Sequence, residues 1–211
     1  MWTIWDEISQ FKSNLIIKNL HKMKTLKLVP FALIALLSFN ACSSDDNSQP
    51  VNEEEVITTI TVTLTPEGGG TPVILTSRDL DGDGPDAPVI TSTGSVLALT
   101  TYNGTVSLLN ELTNPTDNIS LEVEEEGADH QFFFSATGGL SGTFAYADED
   151  VNGDPIGLAF KFTVSANPQS GNLSVILRHE PNKAGENVAS GDITNAGGET
   201  DVQVVFPVTV Q

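Results

Sequence analysis

A second cysteine is missing from this chain. Cys42 stands alone, so no disulfide can form within the polypeptide, and a small secreted scaffold held by bridges is excluded. Cations are nearly as scarce. Nine lysines and arginines face 28 acids, for a formal net charge of −19, and beyond Cys42 only Arg78, Lys161, Arg178 and Lys183 remain. Such a field repels phosphate backbones and anionic lipid, excludes nucleic-acid binding and draws cations. Both tryptophans, Trp2 and Trp5, lie at the extreme N-terminus, which leaves the rest of the chain without an indole on which a sugar ring could stack. No G-x-S-x-G elbow, P-loop or dinucleotide fingerprint occurs. We therefore expect a protein without enzymatic activity.

The longest apolar run, residues 28–39, is well short of the roughly 20 residues that span a bilayer. It fits an export signal instead. Met23, Lys24 and Lys27 supply the basic start, the apolar run follows, and Ala41 places a small residue directly before Cys42. Phe39 stands where such a signal prefers a small aliphatic residue. Acylation gives the lone thiol a use, because each buried methylene adds about 0.8 kcal/mol of membrane affinity and more than one acyl chain secures the anchor. Residues 23–41 then form the lipoprotein signal and Cys42 the lipidated residue. Residues 1–22, with Trp2, Asp6, Glu7 and His21 and no basic opening, are foreign to that signal, and we expect translation to begin at Met23. Residues 42–55, polar and acidic with one proline, read as a flexible tether.

The segment Cys42-Ser43-Ser44-Asp45-Asp46 resembles the surface-export signal of Bacteroidota lipoproteins. The chain beyond it is similar to small surface lipoproteins of flavobacteria, some of which carry the description of a type 1 periplasmic-binding fold. That fold needs alternating strands and helices, which this chain does not offer. The resemblance implies a lipid anchor in the outer membrane, display on the cell exterior, and service as an accessory that captures a solute or metal for a TonB-dependent transporter. The alternative function is a structural or adhesive surface module stiffened by calcium.

Residues 56–211 read as one all-β domain, an immunoglobulin-like antiparallel β-sandwich. Ile60, Val62 and Leu64 alternate with threonines, and Val73 and Leu75 continue the pattern after a proline and three glycines, as in a hairpin. Strands are expected over 89–91, 95–101 and 105–109, with Asn103-Gly104 as a turn. Over 119–127 the alternation of Ile119, Leu121 and Val123 favours a strand, against a short helix capped by Thr116. Further strands are expected over 131–136, 142–147, 157–166, 171–178 and 202–210, with a long polar loop over 182–200. Phe132-Phe133-Phe134 reads as core plus one exposed ring.

Two acidic loops repeat a spacing. Asp79, Asp81 and Asp83 alternate before Gly84, and Asp148, Asp150 and Asn152 alternate before Gly153. Carboxylates at alternate positions can converge on one point while glycine permits the sharp turn, which is the first half of a calcium loop. These residues resemble the calcium loops of EF-hand and dockerin proteins. Ile90 and Ala159 replace the bidentate Glu of the twelfth position, so an EF-hand is excluded and a looser calcium site remains. Asp, Asn and Gly are also ordinary turn residues.

The two histidines beyond Cys42, His130 and His179, each sit where a strand meets a loop. Were the two strand ends neighbours, His130, His179 and a carboxylate such as Glu180 would form a set for zinc or a similar metal. Spacing alone does not join them, since ordinary surface histidines look the same in sequence.

Overall fold

A computed structural model describes residues 55–82 and 84–211. Cys42, the signal, most of the tether and Asp83 lie outside the described residues. Among the described residues the strands are β1 (Thr59–Pro66), β2 (Val73–Arg78), β3 (Val89–Thr93), β4 (Thr101–Leu109), β5 (His130–Thr137), β6 (Gly142–Tyr146), β7 (Ala159–Val164), β8 (Gly171–His179) and β9 (Glu199–Val208), with a short α-helix, α1 (Ile119–Glu125), between β4 and β5. They form two antiparallel sheets, of order β3-β2-β1-β4-β7-β6 and β5-β8-β9. The expected all-β sandwich is thus the fold.

The period-two pattern explains the packing. Ile60, Val62 and Leu64 of β1, Leu75 of β2, Leu108 of β4 and Phe160 and Phe162 of β7 turn one face of the large sheet inward. Phe132, Leu173, Val175, Leu177 and Phe206 do the same for the small sheet. Alternate residues of each inner face fill the space between the layers. β5 and β6 follow one another in sequence but join different sheets, as do β7 and β8.

Four local expectations are corrected. Residues 119–125 are helical: Ile119 and Val123, one helical turn apart, are buried while Leu121 is exposed, a spacing of four rather than two. Neither Thr116 nor the N-cap residue Asn118 caps the helix through its side chain. The strand expected over 95–101 reduces to a single bridge from Val96 to Val210. Asn103-Gly104 is no turn; β4 runs straight through it, with Gly104 opposite Leu64 on one side and Phe160 on the other. A Cβ at Gly104 would lie 2.4 Å from the Phe160 ring, so the glycine makes room for an aromatic side chain on the neighbouring strand. Finally, Phe133 is not exposed. It packs with Val188 and Ala196 under the 182–198 loop, which carries two 3₁₀ turns, Val188–Ser190 and Ile193–Asn195.

Candidate metal centre

β5 and β8 pair so that His130 lies directly opposite His179. Both share parity with the inward residues of their strands, Phe132 and Leu177, so the two imidazoles continue the inner face at one end of the small sheet. His130 is fully buried. Its Nδ1 lies 3.2 Å from the carbonyl oxygen of Glu126, which can only accept; the ring therefore carries a hydrogen at Nδ1. That bond orients the ring and points Nε2 at the remaining groups, the arrangement by which a backbone carbonyl positions a metal-binding histidine.

Three ligand atoms surround that nitrogen. His179 Nδ1 is 3.0 Å away, with the rings edge to face. Glu55 Oε1 is at 3.2 Å and Asp201 Oδ2 at 3.8 Å, on side chains 10% and 7% exposed. Ligands of a tetrahedral zinc ion at about 2.0–2.1 Å stand roughly 3.4 Å from one another. The three distances measured from His130 Nε2 bracket that value. Ligand atoms of His130, His179 and Asp201 all lie within 4.8 Å of each other; Glu55 belongs to a second set with Glu126 and His130, and the two sets share only His130.

The third strand contributes through an irregularity. Leu177 pairs with Val202, but the next residue, Arg178, pairs with Thr200. Asp201 is the extra residue of a β-bulge, a device that re-aims a side chain at a sheet end. Close approach is also needed where the 182–198 loop enters β9. Gly198 has a φ of +69°, and a Cβ there would stand 2.2 Å from the His179 carbonyl oxygen. The small sheet thus lays one ligand from each strand, His130, His179 and Asp201, along one row. Glu55 arrives from the other side, four residues before β1.

The electrostatics favour a cation in the middle. Burial opposes a charged His130 imidazole, but the hydrogen bond and charge of Glu55, the Glu126 carbonyl and the charge of Asp201 outweigh it, and its pKa is raised. Glu55 Oε2 is buried with no hydrogen-bond partner among the described residues. A buried acceptor left so costs about 1–3 kcal/mol. A proton on His130 answers the charge of the site, and a divalent ion would answer both the charge and the open oxygen. Imidazole nitrogens with carboxylates suit zinc and its neighbours, whereas calcium takes oxygen alone.

Glu180 does not join this group. It is exposed, has a left-handed φ of 48°, and its backbone N–H donates to the Asp129 carbonyl at 2.6 Å. The left-handed turn ends the strand parity directly after His179. The carboxylates nearest His130 Nε2 are Glu55 and Asp201, with Glu126 beside Glu55; sequence reasoning missed them.

Neither acidic loop gathers three ligand atoms among the described residues. Asp79 Oδ1 accepts from the backbone N–H of Asp81 and Gly82, and Asp81 Oδ2 from that of Asp86; Asp83 lies outside the described residues. In the second loop both Asp148 oxygens are taken by the N–H groups of Gly157 and Ala159, at 2.7 and 2.8 Å. Asp150 Oδ1 accepts from Asn152 and Asp154, while Asn152 itself is exposed. Asp150 Oδ2 accepts from Lys183 Nζ at 2.8 Å, and the same ammonium donates to the carbonyls of Gly127 and Pro155. The cation of this loop is the chain's own lysine. Burial raises the Asp150 carboxyl, but the Lys183 bond and the two backbone N–H groups hold it below its ordinary value. Lys183 thereby ties the 148–155 loop to the turn directly before His130.

Comparisons with protein families, with curated proteins and with solved structures find no match for this chain.

Proposed function

We propose that this protein captures a divalent transition-metal ion, zinc or one of similar ligand preference, at the His130–His179 cluster. It does so while held to the outer face of an outer membrane by lipid on Cys42, and it passes the ion to a TonB-dependent transporter. The observation that carries the reading is the convergence of His130, His179 and Asp201, whose ligand atoms all lie within 4.8 Å of one another, with Glu55 Oε1 a further 3.2 Å neighbour of His130 Nε2. The acidic surface supports it, because a net charge of −19 concentrates cations near the protein and speeds their arrival. The signal around Cys42 supports the location.

Calorimetry on the chelator-stripped full chain tests this. Zinc binds with one ion per chain, and His130→Ala abolishes the heat. A wild-type protein that gives no heat with zinc, cobalt or nickel would contradict the proposal. Metal analysis of the protein drawn from its own envelope identifies the native ion.

A further inference from the structure

The four candidate ligands do not belong to one element. His130, His179 and Asp201 come from the three strands of the small sheet, locked by its ladder. Glu55 comes from the segment that leads into β1 of the large sheet. The fastening of that segment is uneven. Thr58 is firmly held: its N–H and its hydroxyl both donate to the Leu109 carbonyl, and its hydroxyl oxygen accepts from the Glu111 N–H. Ile57 packs against the core. Val56 is 52% exposed. Among the described residues, then, Glu55 is held through its side chain, by a 3.2 Å contact with His130, with Oε2 buried and without a hydrogen-bond partner there.

We propose that the bound metal ion acts as a clasp that fastens the segment leading from the lipid anchor onto the small sheet through Glu55. This rests on the metal reading above and adds a regulatory consequence to it. With the ion in place, Glu55 gains a bond of metal–carboxylate strength, and its open oxygen is satisfied. The stretch from Glu55 to Thr58 is then fixed at both ends. Without the ion that stretch is fixed only at Thr58, where backbone hydrogen bonds first hold the described residues. Occupancy is thereby written into the segment that lies between the head and its anchor, where a partner at the membrane can read it. The three remaining ligands suffice for weaker binding, so capture and clasping are separable.

Amide hydrogen exchange on the full chain, with and without zinc, tests the clasp. The amides of Val56 and Ile57 slow at least tenfold with zinc in the wild type. In Glu55→Ala, zinc still binds through His130, His179 and Asp201, at least tenfold more weakly, and at saturation leaves those amides unchanged. Zinc that binds the wild type by calorimetry without slowing Val56 and Ile57 overturns the clasp and leaves the metal site standing. Equal protection in Glu55→Ala overturns it as well, since the ion would then act without this ligand. Absence of any binding heat in the wild type overturns the metal reading, and the clasp with it.

Discussion

Replacing Lys183 by methionine isolates the internal cation. Methionine keeps most of the aliphatic stem, so packing changes little, but the ammonium is lost. The Lys183 and Asp150 side chains are only 6% and 1% exposed, which leaves water no ready way to replace the charge. The substitution strands three acceptors at once: the carbonyls of Gly127 and Pro155 and one oxygen of Asp150. Removing one partner of a buried ion pair costs about 3–5 kcal/mol, a large share of the ~5–15 kcal/mol that holds a domain folded. For a domain of this size the melting temperature falls by about 6–20 °C. A thermal scan followed by circular dichroism measures that fall and a urea titration the free energy, and Asp150→Asn in the Lys183→Met background recovers part of the loss by removing the stranded charge. A loss below about 1 kcal/mol would refute the reasoning, because the pair would then behave like a solvated surface bridge. The pH dependence has a definite sign. The folded Asp150 carboxyl titrates below its unfolded value, so its contribution is complete above about pH 4 and disappears as pH falls through the lower folded value.

Asp201→Ala weakens zinc binding at least tenfold whereas Glu180→Ala leaves it unchanged, as calorimetry will show; the reverse order would return the site to the one expected from sequence. Gly104→Ala drives a methyl group into the Phe160 ring and destabilises by about 1–3 kcal/mol, measured by urea denaturation. The Tyr146 hydroxyl donates to the Phe132 carbonyl and accepts from Gln131, and burial pushes its pKa up to about 12. Its contribution to stability is full below the unfolded value near 10 and is lost as pH rises through about 12; an ultraviolet absorbance titration that ionises every tyrosine near pH 10 in the folded protein would contradict this. Cys42→Ser abolishes incorporation of labelled palmitate and releases the protein from the membrane fraction.

The sandwich was legible because its information is local. Ile60-Val62-Leu64 and Leu173-Val175-Leu177 alternate strictly, and alternation is enough to specify a half-buried strand. Asn103-Gly104 misled for the opposite reason. Its turn propensity is also local, but two flanking strands overrode it, and the glycine answers to Phe160, 56 positions away in the chain. In residues 119–127 the positions Ile119 and Val123 satisfy both periods, and only the exposure of Leu121 separates them. His130 and His179 were recognisable as a conditional pair, since one opens a strand and the other closes one. Asp201 was hidden because a bulge leaves no mark in residue types, and Glu55 because it closes a run of three glutamates. Lys183 followed a similar logic: a lone cation in a polar loop gives no sign that it serves a carboxylate 33 positions earlier.

An ion bound at His130 is the central claim. Anomalous diffraction at the zinc edge, from crystals of the protein grown with zinc, tests it most directly. The account predicts one peak per chain, about 2.0–2.2 Å from His130 Nε2, His179 Nδ1 and oxygens of Asp201 and Glu55. A peak at either acidic loop with none between the histidines, or no peak at all, would contradict it.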